Sequence, residues 1–365
     1  MRGVSAVRQK ANQRSALRVG RPWPAILIMT LAGCARPIEV PYPTDGHADF
    51  AAVWTVIEDH YALFECKGVD PKLLRALFEP RFQRLADRAA VHGVLEEMAD
   101  VLDDIHLTIR DDRTGRQSRS GDRSVGTGPF DDGTFSETLI EANYLTSPLE
   151  PLAAETLGAG WLPGNIAYLR VRRLGYPTTT RAALRGWLPT VAGADAVVVD
   201  LRHNGGGDDE AGRALLGAFA NTERPYLTRR APVGNRRTGA GSWTTAERLT
   251  LQPMTNAYLG PVIVLSDSRT ISAAENALLG FKELAHATLV GELSAGAMAD
   301  AVPIVAERDW TVSVAINEIR DAHGTCWEGI GVQPHFHSSN PENSVALGKD
   351  MTLETAILMS MGQSR

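Results

Sequence analysis

Residues 261–297, PVIVLSDSRTISAAENALLGFKELAHATLVGELSAGA, decide the fold that we predict for this chain. The apolar run at 262–265 is typical of a buried strand, and a polar elbow follows at 266–271. A helix is predicted to begin at Ser272 and to lead into a second strand at 287–291. A small hydroxyl residue at such a turn lies near free backbone N–H groups and the positive end of the helix, which can stabilise developing negative charge.

The sequence around Ser272 allows two interpretations of this residue. The spacing Ser272-x-x-Glu275 before an apolar run is the capping-box pattern, in which the hydroxyl only caps the helix. The same position suits a nucleophile if a base and an oxyanion site lie nearby. Motifs elsewhere in the chain are needed to distinguish the cap from the nucleophile.

Strands and helices alternate on both sides of this stretch. Apolar runs at 165–170 and 196–201 predict buried strands, and residues 178–191 and 209–219 predict the helices that follow them. We expect two β-rich stretches, 302–306 and 311–319, to close the same sheet, and a helix over 350–361 to end the chain. The pattern predicts an α/β core over 160–345 with a largely parallel sheet, and a terminal helix in 346–365.

The first half of the chain is organised differently. Apolar residues at helical spacing over 48–112 predict a small N-terminal helical domain. Alternation at 105–109 predicts a short strand that places His106 and Thr108 on one face. Residues 113–159 are rich in Gly, Ser, Arg and Asp near their start, and we interpret them as a polar connector containing a mobile loop.

Residues 1–33 have the features of a secretory leader. They hold six basic residues and no acidic one, and a short apolar run ends in Leu-Ala-Gly before Cys34. This ending resembles the bacterial lipobox, which would make Cys34 a lipidated first residue, followed by a tether over 34–47. Ala35 after the cysteine favours the outer membrane, facing the periplasm. The alternatives are a buried N-terminal helix in a soluble chain and a misassigned start.

The net charge limits which binding partners we expect, and the cysteine content raises the question of a disulfide. The chain carries a formal net charge of −6, and without the leader 31 basic residues face 43 acidic ones, a charge of −12. Such a chain is unsuited to nucleic acid or to anionic lipid surfaces. Cys66 and Cys326 remain after Cys34, and the sequence leaves open whether they pair or stay as buried thiols.

A glycine-rich turn follows the predicted strand at 196–201. The segment Asp200-Leu-Arg-His-Asn-Gly-Gly-Gly207 lets backbone N–H groups approach a reacting atom. It lacks the phosphate-loop pattern, and acidic residues at 208–210 would repel phosphate. An oxyanion site for an uncharged carbonyl remains compatible with it, as does an ordinary tight turn.

Six ordered segments resemble the S41 family of serine peptidases, the tail-specific or C-terminal processing peptidases with their tricorn-like and interphotoreceptor retinoid-binding protein branches. The resemblance covers residues 48 to 360 approximately, and its segments are YALFECKGVD, DDIHLTI, DLRHNGGG, SAAE with VGELSAGA, GIGVQP and GKDMTLETAI. It implies a core like that of ClpP and crotonase.

The family pattern implies a role for five residues. Ser272 would be the nucleophile, His106 the general base, and Glu328 the carboxylate that orients the histidine. The backbone N–H groups of Ala273 and Gly206 would form the oxyanion hole, with Gly205 or Gly207 as alternatives to Gly206. A serine hydroxyl needs such a base, and a carboxylate holds the imidazole in one tautomer.

The chain also departs from the pattern. Residues 291–298 contain no lysine, so the Ser–Lys dyad of one branch is unavailable and His106 becomes necessary. Ile105 stands where the tricorn-like branch has a hydroxyl residue. The connector is too short and too polar for the PDZ domain that many members insert.

These observations predict an exported serine peptidase that acts on polypeptides through an acyl-enzyme. No cofactor or metal is expected, because no spaced cluster of His and Cys supports one. The alternatives are a non-catalytic envelope protein that binds peptides or small ligands on the same fold, and an esterase-like hydrolase.

Overall fold

The computed structural model describes residues 42–120, 133–233, 242–341 and 343–363. The described helices are α1 Gly46–His60, α2 Pro71–Phe82, α3 Arg88–Leu102, α4 Glu137–Asn143, α5 Pro177–Val191, α6 Asp209–Gly217, α7 Ala273–Lys282 and α8 Met351–Gln363. The described strands are β1 Thr108–Asp111, β2 Gln117–Arg119, β3 Glu150–Ala153, β4 Leu157–Leu162, β5 Ile166–Val171, β6 Ala196–Asp200, β7 Pro225–Arg230, β8 Pro232–Val233, β9 Ser242–Trp243, β10 Glu247–Thr250, β11 Val262–Ser266, β12 Ala287–Gly291, β13 Ala301–Ala306, β14 Trp310–Ala315, β15 Glu318–Asp321 and β16 Phe336–His337.

A seven-stranded sheet carries the site. Its order is β16-β12-β11-β6-β5-β4-β3, parallel from β16 to β5 and antiparallel at the β4 and β3 edge. Strands β6 and β11 are buried along their whole length, as parallel strands covered on both faces require. One face packs against α5, α6 and α7, and the other against α4 and α8. The predicted α/β fold with a largely parallel sheet is confirmed.

The expectation that residues 302–306 and 311–319 close this sheet is wrong. They form β13, β14 and β15, and the first two belong to a separate four-stranded sheet of order β13-β14-β1-β2. Strand β15 pairs with β7 instead. Side chains along β13 alternate between exposed and half-buried, so this strand has one covered face and does not suit the interior of a parallel sheet.

The N-terminal helical region shares its core with that second sheet. The side chains of α1, α2 and α3 pack on β1 and β14 around Trp54 and Trp310, which are 1% and 0% exposed. The helices begin at aspartates that accept backbone N–H groups, namely Asp45, Asp70 and Asp87. Residues from both ends of the chain thus build one core. The predicted boundaries at 48, 113, 160 and 346 stay predictions.

The segment 113–159 is more ordered than a polar connector. It contains β2, α4, β3 and the start of β4, and β4 pairs with β5 along its full length. Alternation is weak in these short edge elements, and so the sequence pattern did not reveal them. Residues 121–132 of the predicted mobile loop lie outside the described residues.

The leader prediction and Cys34 also lie outside the described residues. Of the predicted tether, the described part is 42–47, and α1 already begins at Gly46. No helix in the described ranges combines the length and the apolar character that crossing a bilayer takes.

Cys66 and Cys326 are joined in a disulfide, with their Cα atoms 6.0 Å apart. This answers the question that the sequence left open. Cys66 follows α1, and Cys326 lies two residues before Glu328. The bond therefore ties the segment that carries Glu328 to the N-terminal helical region.

Candidate active site

Ser272 lies where the loop after β11 enters α7. It adopts φ 60° and ψ −129°, a conformation that is costly for a residue with a side chain and occurs most often where function requires it. Its backbone N–H donates to the Ala297 carbonyl and to Glu275 Oε2, each at 3.0 Å. Two fixed acceptors thus hold the strained backbone in place.

Ser272 and Glu275 have the capping-box arrangement at the start of α7. The Ser272 N–H donates to Glu275 Oε2 at 3.0 Å, and the Glu275 N–H donates to the Ser272 carbonyl at 2.8 Å. The capping interpretation of Ser272 therefore stands beside the catalytic one. A cap alone does not account for the positive φ of Ser272, because N-cap residues ordinarily have extended backbone.

The carboxylate of Glu275 organises the loop beside the serine. It accepts hydrogen bonds from Ser294 Oγ at 2.6 Å, Gly296 N–H at 2.7 Å and Ala297 N–H at 2.8 Å. Complete burial raises the pKa of Glu275 to about 7; the Ser294 hydrogen bond opposes this shift, and the charge of Glu328 adds to it. From the sequence, Glu275 was predicted only to cap the helix.

The glycine turn after β6 touches Ser272 directly. Gly206 has φ +92°, and a Cβ atom there would lie 2.8 Å from both the Ile271 carbonyl and Ser272 Cβ. Only glycine allows so close an approach of two backbones. The Ile271 N–H donates to the Asn204 carbonyl at 2.9 Å and locks the two loops together.

The two predicted oxyanion amides are in different states. Ala273 is the first residue of α7, and its N–H has no hydrogen-bond acceptor among the described residues. The Gly206 N–H donates to Asn204 Oδ1 at 2.9 Å. The assignment of Gly206 to the oxyanion hole stays a prediction, and it requires this side chain to yield or to share the N–H.

His106 occupies the turn before β1 and not the strand itself, which corrects the predicted strand at 105–109. Asp104 Oδ1 accepts the backbone N–H of His106 at 2.9 Å and forms the turn. The same oxygen lies 3.0 Å from His106 Nδ1, and Glu328 Oε1 lies 3.2 Å from it. Two carboxylates therefore face one ring nitrogen.

This environment sets the protonation of His106. Burial alone would lower its pKa, but the hydrogen bonds and negative charges of Asp104 and Glu328 outweigh that effect and raise the pKa of His106 to about 10. Because both carboxylates lie at Nδ1, the proton that leaves first is the one on Nε2. The neutral form then presents Nε2 as an acceptor.

Glu328 connects the histidine to the serine. Its Oε2 accepts the backbone N–H groups of Met298 at 3.0 Å and Ala299 at 3.1 Å. The neighbouring Ala297 carbonyl accepts from Ser272. Ser272 and Glu328 therefore bond to the same loop, residues 294–299, and His106 is linked to that loop through Glu328. The Ser272 hydroxyl and His106 do not hydrogen-bond to each other in this conformation, as far as the described residues go.

Asp104 is the site residue that sequence reasoning did not assign. The Asp-x-His spacing was visible, and an aspartate that accepts a backbone N–H two residues later is a common turn signal. The sequence did not indicate that the Asp104 carboxylate also contacts the imidazole ring of His106. Asp104, His106 and Glu328 are also a described group that could hold a metal ion, since their ligand atoms lie within 4.8 Å of one another. That no metal is needed stays a prediction.

Comparison with known proteins gives two family matches. Residues 165–338 match the model of peptidase family S41, and residues 42–100 match the tricorn protease C1 domain. Together these segments hold Ser272, Glu328, the glycine turn and the N-terminal helices. His106 lies just beyond the second match.

Solved structures share the fold. A peptidase candidate from Parabacteroides merdae has a TM-score of 0.70 at 17% identity, over 87% of this chain and 97% of its own. Mature CPAF has a TM-score of 0.62 at 11% identity, over 87% of this chain and 96% of its own. The tricorn protease has a TM-score of 0.51 at 14% identity, over 88% of this chain and 37% of its own. At these identities the likeness concerns the fold alone.

Proposed function

The chain belongs to peptidase family S41, and from that membership we propose that it is a serine peptidase that cleaves peptide bonds through an acyl-enzyme. The observation that carries the proposal is the shared loop at 294–299, which bonds to Ser272 on one side and to Glu328, the partner of His106, on the other. The strained backbone of Ser272 supports the same role.

The proposed reaction needs each of these groups. Neutral His106 accepts the Ser272 proton at Nε2 while Oγ attacks the substrate carbonyl. The oxyanion forms beside the Ala273 N–H, at the positive end of α7. When the C–N bond breaks, His106 returns the proton to the leaving amine, and a water molecule activated by the same imidazole then hydrolyses the ester.

The reaction requires His106 to be neutral before it can accept the proton of Ser272. With its pKa near 10, the imidazole is mostly protonated at neutral pH in the conformation described. Closure on a substrate would have to bring His106 within reach of Ser272 and release its proton. Apo sites often show long or absent catalytic hydrogen bonds that form only with substrate bound.

Labelling by a fluorophosphonate probe tests the proposal. We expect the intact protein to react at Ser272, the variant Ser272→Ala to be silent, and His106→Ala to lose roughly two or more orders of magnitude in labelling rate. Ser147→Ala and His60→Ala remove exposed residues of the same types and should label normally. A folded protein that does not label at any pH between 6 and 10 would contradict the peptidase.

The protonated histidine also supports one competing function, a non-catalytic protein that binds peptides on this fold. Such a protein would bind peptide without labelling. An esterase-like hydrolase would label, and it would turn over esters but not peptide amides. The same protein preparation, assayed with a matched peptide and ester pair, separates these outcomes.

We further propose that the protein is exported and anchored by a lipid on Cys34 at the outer membrane. The leader-like composition of residues 1–33 supports export, and the Cys66–Cys326 disulfide suits an oxidising compartment. Mass analysis of the protein from membrane fractions would find a lipidated N-terminal Cys34, and Cys34→Ala would move it to the soluble fraction. A full-length, unmodified chain in the cytoplasm would exclude this anchor.

A further inference from the structure

A cavity of about 720 Å³ adjoins the glycine turn after β6. Gly205, Gly206 and Gly207 form one wall of it, and Gly206 lies so close to Ser272 that a Cβ atom on Gly206 would be 2.8 Å from Ser272 Cβ. A substrate whose scissile carbonyl reaches Ser272 would pass along this wall. The cavity is therefore placed to receive a neighbouring part of the substrate.

Another part of the cavity lining is strongly basic. It consists of Arg170, Arg172 and Arg173 on and after β5, together with Glu137 at the start of α4. The chain as a whole has a formal net charge of −6, whereas three arginines lie together around this one cavity. Such a concentration of positive charge favours an anionic ligand.

Two of these arginines have internal partners. Arg170 Nε lies 3.1 Å from Glu137 Oε2, and its Nη1 donates to the carbonyls of Asp200 and Arg202 at 3.1 and 2.7 Å. Arg172 forms a bidentate pair with the same Glu137, with Nε at 2.9 Å from both carboxylate oxygens. Glu137 therefore pairs with both guanidinium groups, and Arg170 Nη1 also lies 3.7 Å from the buried carboxylate oxygen Asp200 Oδ1.

Arg173 has no such partner. Its side chain is exposed at the cavity, and within the part of the chain that the structure describes it forms neither a hydrogen bond nor an ion pair. Anchoring α4 through Glu137 accounts for Arg170 and Arg172, but it does not account for Arg173. Arg172, whose side chain is 32% exposed, lies next to it in sequence and also reaches the cavity.

The remaining cavity wall is built to hold this arrangement. The ring of Phe135 is 5% exposed and lies under two guanidinium groups, 4.6 Å from Arg170 and 4.9 Å from Arg202. His203 lies beside it, with ring centroids 5.0 Å apart, and pairs with Asp267 at 3.3 Å. Phe135 thus holds Arg170 and Arg202 in place behind the exposed Arg173, so this wall of the cavity is rigid before a ligand binds.

We propose that this cavity binds a carboxylate of the substrate close to the scissile bond, with Arg173 and Arg172 as the residues that determine this specificity. The inference rests on the proposed function. Arginine suits the role because its planar fork pairs with a carboxylate through two hydrogen bonds. The carboxylate can come from an Asp or Glu side chain or from the free C-terminus of the polypeptide.

Binding to the Ser272→Ala variant tests this without turnover. Fluorescent peptides are compared in two pairs: amidated peptides that differ by Glu against Gln, and peptides that differ by a free C-terminal carboxylate against an amide. We expect the carboxylate member of at least one pair to bind about tenfold more tightly at low salt, and the advantage to shrink at high salt. Which pair discriminates identifies the source of the carboxylate.

The advantage should disappear in Arg173→Gln and return in part in Arg173→Lys. Arg185→Gln, which removes an exposed arginine on α5 away from the cavity, should leave it unchanged. Equal binding within both pairs, or an advantage that survives in Arg173→Gln, would overturn the inference. Because the assay needs no catalysis, it separates the two proposals: labelling at Ser272 without discrimination removes only the cavity, and discrimination without labelling removes only the peptidase.

Discussion

At the scale of single residues, the site depends on how readily His106 gives up its proton. Asp104 and Glu328 both stabilise the imidazolium, whereas a general base must be neutral. The pKa of about 10 means that the neutral fraction, and with it the rate of acylation, rises as the pH increases from 7 towards 10. Asp104 is thus a positioning residue that fixes the turn, and by raising the pKa of His106 it lowers the fraction of neutral imidazole at neutral pH.

The variant Asp104→Asn should move this dependence to lower pH. It removes one negative charge from Nδ1 while keeping an oxygen that can accept the His106 backbone N–H. We expect the rising limb of kcat/KM against pH to shift down by roughly one unit or more, since one unit corresponds to ~1.4 kcal/mol of lost interaction with the charged form. The measurement is a pH–rate profile with peptide substrate.

Asp103→Asn is the matched control, because Asp103 is exposed and asparagine tolerates its left-handed φ of 45°. Its profile should coincide with that of the unmodified protein. A profile that is unchanged in Asp104→Asn would show that Asp104 does not set the proton affinity of His106 in the working enzyme.

At the scale of elements, the sequence predicted well what short-range patterns encode. The β11–α7 turn and the glycine turn after β6 were recognisable because apolar runs and glycines mark them locally. The assignment of β13 and β14 to the main sheet was wrong, because hydrophobic alternation indicates that a strand has one covered face but does not indicate which sheet the strand joins. The His106 turn was misassigned as strand for a similar reason: its shape depends on the Asp104 side chain.

The glycine turn after β6 is held by a buried ionic network. Arg202 lies 3% exposed, with Nη2 2.6 Å from Asp200 Oδ2 and Nη1 2.8 Å from Asp350 Oδ1. Asp350 also caps α8 through the Leu353 N–H at 3.0 Å. The network therefore joins the end of β6, the glycine turn and the last helix.

Removing the central cation should destabilise the protein severely. Arg202→Met leaves Asp200 and Asp350 buried with fewer partners, a loss of roughly 3–5 kcal/mol in the free energy of unfolding. Chemical denaturation measures it, and Arg185→Met on the exposed face of α5 should change that free energy by less than about 0.5 kcal/mol. If Arg202→Met cost no more than its control, the network would not be what holds the turn.

At the scale of the whole molecule, the site exists because three distant parts of the chain meet. His106 comes from the N-terminal region, Ser272 from the central sheet, and Glu328 from the segment that the disulfide attaches to Cys66. The family pattern identified all three as candidates and implied that Glu328 orients His106. The residues by themselves give no sign of that contact, because it joins positions more than 200 residues apart that only the three-dimensional packing brings together.

The disulfide should therefore affect activity as well as stability. Cys66 and Cys326 are 260 residues apart, so the bond lowers the conformational entropy of the unfolded chain, an effect worth up to about 5 kcal/mol on the chain-entropy model.

We expect the double variant Cys66→Ser/Cys326→Ser to unfold at lower denaturant concentration. Its labelling rate at Ser272 should also fall under conditions where it is still folded, because Glu328 is then less firmly held against His106. Ser147→Ala, which removes an exposed hydroxyl outside the bond, is the control. A double variant that is less stable but labels at the normal rate would limit the disulfide to a stabilising role and would show that packing alone positions Glu328.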